Sequence, residues 1–153
     1  MGKYILEAVP FWAVHAVFAG IGIGVALIAS TTLSILVSLA YFAAFAMLSR
    51  MQDPGLARGF VRGMVVVTPM LVILAAARLH ILLNPMDGIG YGLLMYPVIL
   101  PFPVWLNDCQ AIIPFQTGVF LVPAAAWAGI IAGAGAGRRE TTPLTVKFRC
   151  PYR

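Results

Sequence analysis

Forty-two consecutive residues, Ala8 to Ser49, contain no Asp, Glu, Lys or Arg. Wound as one helix at about 1.5 Å per residue, the run would measure roughly 63 Å, twice the ~30 Å hydrocarbon core of a bilayer. A water-soluble chain of 153 residues has no interior large enough to hide it. Composition agrees, because 61% of the residues are hydrophobic and only 10% are charged, against about 25% charged in soluble domains. In lipid every backbone N–H and C=O needs an internal partner, so spanning segments are helices or closed barrels. Long unbroken apolar runs, rather than short alternating ones, select helices. The fold class expected is therefore an all-α integral membrane protein. The N-terminus does not read as a cleavable signal, since Glu7 follows Lys3 and the apolar stretch far exceeds a signal's apolar core.

The charged residues fall in islands that constrain topology. Lys3 and Glu7 precede the long run, and Arg50, Asp53, Arg58 and Arg62 form a segment of net +2. Asp87 and Asp108 flank a Pro-rich stretch, and Arg138, Arg139, Glu140, Lys147, Arg149 and Arg153 give a tail of net +4. Basic loops stay on the cytoplasmic side. The chain should therefore cross an even number of times between the two basic islands. Gly63–Leu83 and Ala111–Gly137 supply two crossings. The intervening Gly88–Leu106 is long enough for another, but would put the basic tail outside. It also contains Gly88, Gly90, Gly92, Pro97, Pro101 and Pro103, a poor composition for continuous helix.

The expectation is a four-span helical bundle, with spans at about 8–29, 32–49, 63–83 and 111–137. A Pro/Gly-rich re-entrant or interfacial segment, 84–110, lies on the outer face. Residues 1–137 form the single transmembrane domain, and 138–153 a basic cytoplasmic tail. Both termini are placed in the cytoplasm of a bacterial-type inner membrane. The division of the first run rests on Ser30-Thr31-Thr32, which lacks Gly, Pro and Asn, so one long protruding helix is the alternative.

Small residues recur at four-residue spacing on two helices: Ala16, Gly20 and Gly24, then Ala125, Gly129, Gly133 and Gly137. Apolar burial does not drive helices together in lipid, whereas close backbone approach along small faces does. Both faces are expected to pack against other helices, within the chain or in another subunit. Pro123 is expected to kink the last span near its middle. Tyr4, Phe11 and Trp12 should mark the inner edge, and Tyr91, Tyr96 and Trp105 the outer.

Few polar residues fall inside the spans. Glu7 reads as a juxtamembrane charge. His15 lies near the mid-plane of the first span, where an ionisable group is a functional candidate by default. Its alternatives are a haem or chlorophyll-type ligand and a neutral imidazole bonded to a neighbouring helix. Arg78 should snorkel or pair with Asp87 or Asp108 on the outer face. Over the eight residues Ala76–Leu83, a small residue four before His80 resembles the pigment-ligating site of bacterial light-harvesting helices. That resemblance implies a ligand at His80, while Arg78 departs from its pattern and no family is assigned. His15 and His80 fall at depths of about 15 and 27 Å from the inner edge, too far apart for one haem iron.

No span carries Asp or Glu at depth, and no HExxH, CxxC, GxSxG or phosphate loop occurs. Cys109 and Cys150 are expected on opposite sides. The chain therefore reads as no enzyme, and no cofactor is clearly indicated. In the tail, Leu144, Val146, Phe148 and Cys150 alternate with polar residues, as a strand added to a partner's sheet would. Arg138, Arg139, Lys147, Arg149 and Arg153 suit anionic lipid or a protein partner, and nucleic acid is not required. The leading reading is a small non-catalytic accessory subunit of a larger multi-subunit inner-membrane complex. A homo-oligomeric channel or small-solute transporter is the second reading, and a pigment- or haem-binding subunit using His15 or His80 the third.

Overall fold

The computed structural model describes residues 2–28, 30–52, 55–99 and 119–137. Among these, the chain forms five helices: α1 (Gly2–Ile28), α2 (Thr31–Met51), α3 (Gly55–Leu83), α4 (Gly88–Ile99) and α5 (Leu121–Gly137). The first three are each long and apolar enough to cross a bilayer. Outward-facing Leu6, Val17, Leu27, Leu36, Leu39, Val72 and Leu79 are exposed on them. Apolar surface on that scale is foreign to a soluble monomer and fits membrane insertion.

The long uncharged run is a helical hairpin. Phe11 packs on Phe45 with ring centroids 5.5 Å apart, and Phe18 meets Tyr41 edge-on, so α2 returns antiparallel to α1. The break needs no Gly or Pro because Ser30 caps α2. Its backbone is extended, with φ −96 and ψ 108, and its hydroxyl accepts from the Leu33 N–H at 3.3 Å. A cap of this kind satisfies one of the donors that every helix start leaves over. The next reversal uses Gly55, at φ +64, a left-handed conformation that a Cβ disfavours.

α3 begins eight residues before the expected 63. Arg58 and Arg62 thus lie in its first two turns rather than in a loop, and the physical reason is the pairing of Arg62 with Glu7 on α1. The fourth expected span is described from Leu121 onward, and its residues 111–118 lie outside the described set. Within α5, Pro123 does not kink the middle. It sits in the first turn, where its missing N–H has no intrahelical partner to lose. Contrary to its composition, Gly88–Ile99 is helical, with Pro97 near its end. It is started by Asp87, whose Oδ1 accepts the Gly90 N–H at 2.8 Å.

Two clusters make the core. Phe11, Tyr41, Phe45, Val66, Val122, Ala126 and Ile130 join α1, α2, α3 and α5. Met70, Leu74 and Ala77 of α3 meet Met95, Val98 and Ile99 of α4. α5 runs parallel to α2, because a Cβ built on Gly129 would lie 2.9 Å from the Phe42 carbonyl oxygen and one on Gly133 would overlap that of Ala46. One small-residue face therefore lets two backbones touch, and the buried Ser49 hydroxyl adds a 2.7 Å bond to the Ile130 carbonyl across the same seam. The other face has a different fate. Gly20 and Gly24 have nothing within 4 Å of an added Cβ, and Ala16 is exposed.

This contrast gives a test. Gly133→Ala should force α2 and α5 apart and lower stability by about 1–3 kcal/mol, whereas Gly20→Ala should change it by less than about 0.5 kcal/mol. Thermal unfolding of both variants in mild detergent, read by helical circular dichroism, makes the comparison.

Candidate functional site: polar ties between the helices

The polar side chains inside the bundle occupy three levels. Where α1, α2 and α4 meet, the half-buried His15 ring has both nitrogens engaged. Nε2 lies 2.9 Å from the Pro97 carbonyl oxygen and Nδ1 lies 2.9 Å from the Tyr41 hydroxyl. A carbonyl only accepts, so Nε2 carries the proton and, in the neutral ring, Nδ1 accepts from Tyr41. The sequence explains why this carbonyl needs a visitor. It belongs to the last turn of α4, where carbonyls lack intrahelical donors, and the residue four positions on, Pro101, has no N–H. His15 supplies from α1 the donor that α4 cannot make for itself. Trp12, one turn earlier on α1, reaches α3 in a similar way, its Nε1 donating at 3.1 Å to the Val66 carbonyl, next to the Val65 carbonyl whose intrahelical donor Pro69 lacks.

At the end where α1 and α3 begin, Arg62 donates through Nε, at 3.2 Å, and through Nη2 to one oxygen of Glu7. The Arg62 side chain is only 4% exposed and Glu7 25%. Burying a cation demands such a partner, and removing one member of a buried pair costs about 3–5 kcal/mol. Lys3 and Arg58 stand close enough for their charges also to act on the Glu7 carboxylate.

At the opposite end, the α3–α4 turn is closed by Asp87. Its Oδ2 lies 2.9 Å from His80 Nε2, and its other oxygen caps α4. Gly90 is required here, since a Cβ would sit 2.6 Å from His80 Nε2. The Gly90 amide bond first, and the His80 bond second, hold the Asp87 carboxyl below its usual range.

The expected residues are thus redistributed. His15 and His80 lie at different levels, each with a nitrogen held by a protein group. The partner described for Asp87 is His80 rather than Arg78, because the tight turn at 84–87 folds the carboxylate back over the preceding helix. Asp108 and the tail residues Arg138, Arg139, Lys147, Arg149 and Arg153 lie outside the described residues, as do Trp105, Cys109 and Cys150. Gly129 and Gly133 pack on α2, whereas, among the described residues, Gly20 and Gly24 meet nothing and Ala16 is exposed. Sequence reasoning missed the Glu7–Arg62 pair, Tyr41 and the Pro97 carbonyl. The Pro97/Pro101 spacing was the available signal for the last.

Among the described residues, no cluster of three His, Cys, Asp or Glu is placed to hold a metal ion. No family model matches the chain, nor does any curated protein or solved structure. The local chemistry therefore has to be read on its own terms.

Two outcomes are expected of it. His15→Leu should cost about 1–3 kcal/mol by orphaning the Pro97 carbonyl, and amide exchange should speed up in α4 before the rest of the bundle. Asp87, with its folded pKa depressed, binds protons more readily once the turn opens. Its cap is then fully effective above the ordinary carboxylate range near pH 4 and is lost as pH falls below it. The Gly90 amide resonance in detergent micelles should shift through that window, and Asp87→Asn should abolish the shift.

Proposed function

We propose that this chain is a small non-catalytic structural subunit of a larger multi-subunit inner-membrane complex. One observation carries the reading: of two equivalent small-residue faces, that of α5 is consumed against α2, while that of α1 is left open, among the described residues, at Gly20 and Gly24. In lipid such a face gains nothing from apolar tails, which fit a smooth groove of small residues poorly, and much from a second helix that can approach the backbone. The polar groups support the same reading. His15, Trp12 and Ser49 all bond to carbonyls of other helices, which is bracing rather than chemistry. With both ring nitrogens engaged, His15 offers no free lone pair to a haem or a pigment magnesium.

In this proposal α5 is the fourth span and both termini face the cytoplasm. The helix directions agree with it: α2 and α5 both end where α1 and α3 begin, so Lys3, Arg50, Arg58 and Arg62 share an end with Gly137. α4 enters from the opposite end, stops beside His15 halfway along, and serves as the re-entrant segment.

The test is isolation of the tagged chain from its native membrane in mild detergent, followed by native electrophoresis and mass spectrometry. The expected result is a discrete assembly containing other polypeptides in fixed ratio. Gly20→Leu with Gly24→Leu should release the chain from it while leaving its helical signal intact. A closed ring of identical copies would overturn this reading in favour of a channel or transporter.

A further inference from the structure

The charged end of the bundle holds more cation than its carboxylate uses. Lys3 and Glu7 lie one turn apart on α1, and Arg58 and Arg62 one turn apart on α3. The charges of all three cations act on Glu7. Arg62 takes that carboxylate through two of its nitrogens, and its Nη1 is buried with no acceptor among the described residues. Lys3 and Arg58 are exposed beside it. Among the described residues at this seam, three cations against one carboxylate leave a net +2. α1 and α3 both start at this end with no acidic residue in the first turn, so two helix N-termini add partial positive charge of the same sign.

The surroundings narrow the ligand. Within a turn of these cations α1 exposes Ile5 and Leu6, and α3 exposes Phe60 and Val61. Positive charge grading directly into exposed apolar side chains matches a molecule with a phosphate at one end and hydrocarbon at the other. A free anion would leave the apolar part unused.

We propose that Lys3, Arg58 and Arg62 form a binding site, at the seam of α1 and α3, for the phosphodiester headgroup of an anionic phospholipid. Lys3 and Arg58 meet the phosphate oxygens. Arg62 is fixed in place by Glu7 and keeps the site's charge positive at its base. Glu7 therefore organises the site as well as neutralising part of it, which explains a carboxylate among cations at a position that favours anions. The site belongs to the isolated chain and does not depend on the subunit reading.

The experiment uses the full chain purified in mild detergent, with added phosphatidylglycerol, phosphatidylcholine or inorganic phosphate, read by native mass spectrometry and by thermal unfolding. Phosphatidylglycerol should be retained and should raise the unfolding midpoint, and phosphatidylcholine should do neither. Lys3→Gln with Arg58→Gln should lower phosphatidylglycerol retention roughly tenfold. Both residues are exposed and outside the Glu7–Arg62 bonds, so the helical signal should persist. Arg78→Gln, at the other end of α3, should leave retention unchanged. Equal retention of the two lipids, or an equal loss in Arg78→Gln, would overturn the site. Stabilisation by inorganic phosphate as large as that by phosphatidylglycerol would overturn its assignment to a lipid.

Discussion

Where α5 crosses α2, a Cβ on Gly133 would collide with the Ala46 backbone and one on Gly129 would crowd the Phe42 carbonyl. The two helices are in backbone contact, and much of the architecture follows from that. Lipid supplies no hydrophobic force to press helices together, so dispersion over a close, well-fitted seam has to do it. Once α5 lies parallel to α2, it must be antiparallel to α3, and Trp127 comes over Gly63 and Phe60. Val122, Ala126 and Ile130 then complete the core that Phe11, Phe45 and Val66 begin. The Ser49 hydroxyl reaches the Ile130 carbonyl only because the helices are this close.

Within that frame, the polar side chains act on backbone carbonyls. Trp12, His15 and Ser49 sit on different turns of α1 and α2, and each bonds to a carbonyl of a different helix: α3, α4 and α5 respectively. One target, the Pro97 carbonyl, lies at a helix end where the internal ladder is incomplete, and another, that of Val66, neighbours the Val65 carbonyl that Pro69 leaves without a donor. An unpaired carbonyl in hydrocarbon costs several kcal/mol, because no water is present to take over. A histidine in mid-membrane is therefore as natural a cap for a broken ladder as it is a ligand. The geometry at Pro97 favours the cap, since the acceptor fixes the proton on Nε2 and Tyr41 takes the other nitrogen.

Much of this was legible in the residues and some of it was not, for identifiable reasons. The uncharged run announced long apolar helices that fit a membrane, and its Ser30-Thr31-Thr32 interruption announced the hairpin. The spacing of Gly129 and Gly133 marked a contact face, though spacing is silent on whether the neighbour is in the same chain. The start of α3 was misplaced because Arg58 and Arg62 look like loop residues until Glu7 is set opposite them, and that pairing is a tertiary fact. Glycine and proline content argued against a helix at Gly88–Ile99. Asp87 as a cap and packing on Met70 and Leu74 outweighed that propensity, a weak prior that tertiary context routinely overrides. Charge alone left Arg78 to snorkel or to pair with Asp87 or Asp108, while the reach of a four-residue turn is what brings the Asp87 carboxylate to His80.

The two ends of the bundle differ in the way their charges are used. At the α3–α4 turn, a carboxylate and an imidazole close a tight reversal, and the charge is absorbed locally. At the other end four helix termini converge, two of them N-terminal, and among the described residues Glu7 is the carboxylate beside Lys3, Arg58 and Arg62. Arg62 is almost wholly buried there, which a lone guanidinium would not tolerate. Glu7 makes that burial possible and ties α1 to α3, the two helices that the hairpin turn does not connect. Among the described residues, the positive charge of this end is not used up by pairing with Glu7. It faces outward, on Lys3 and Arg58, toward whatever anionic surface borders that end of the bundle.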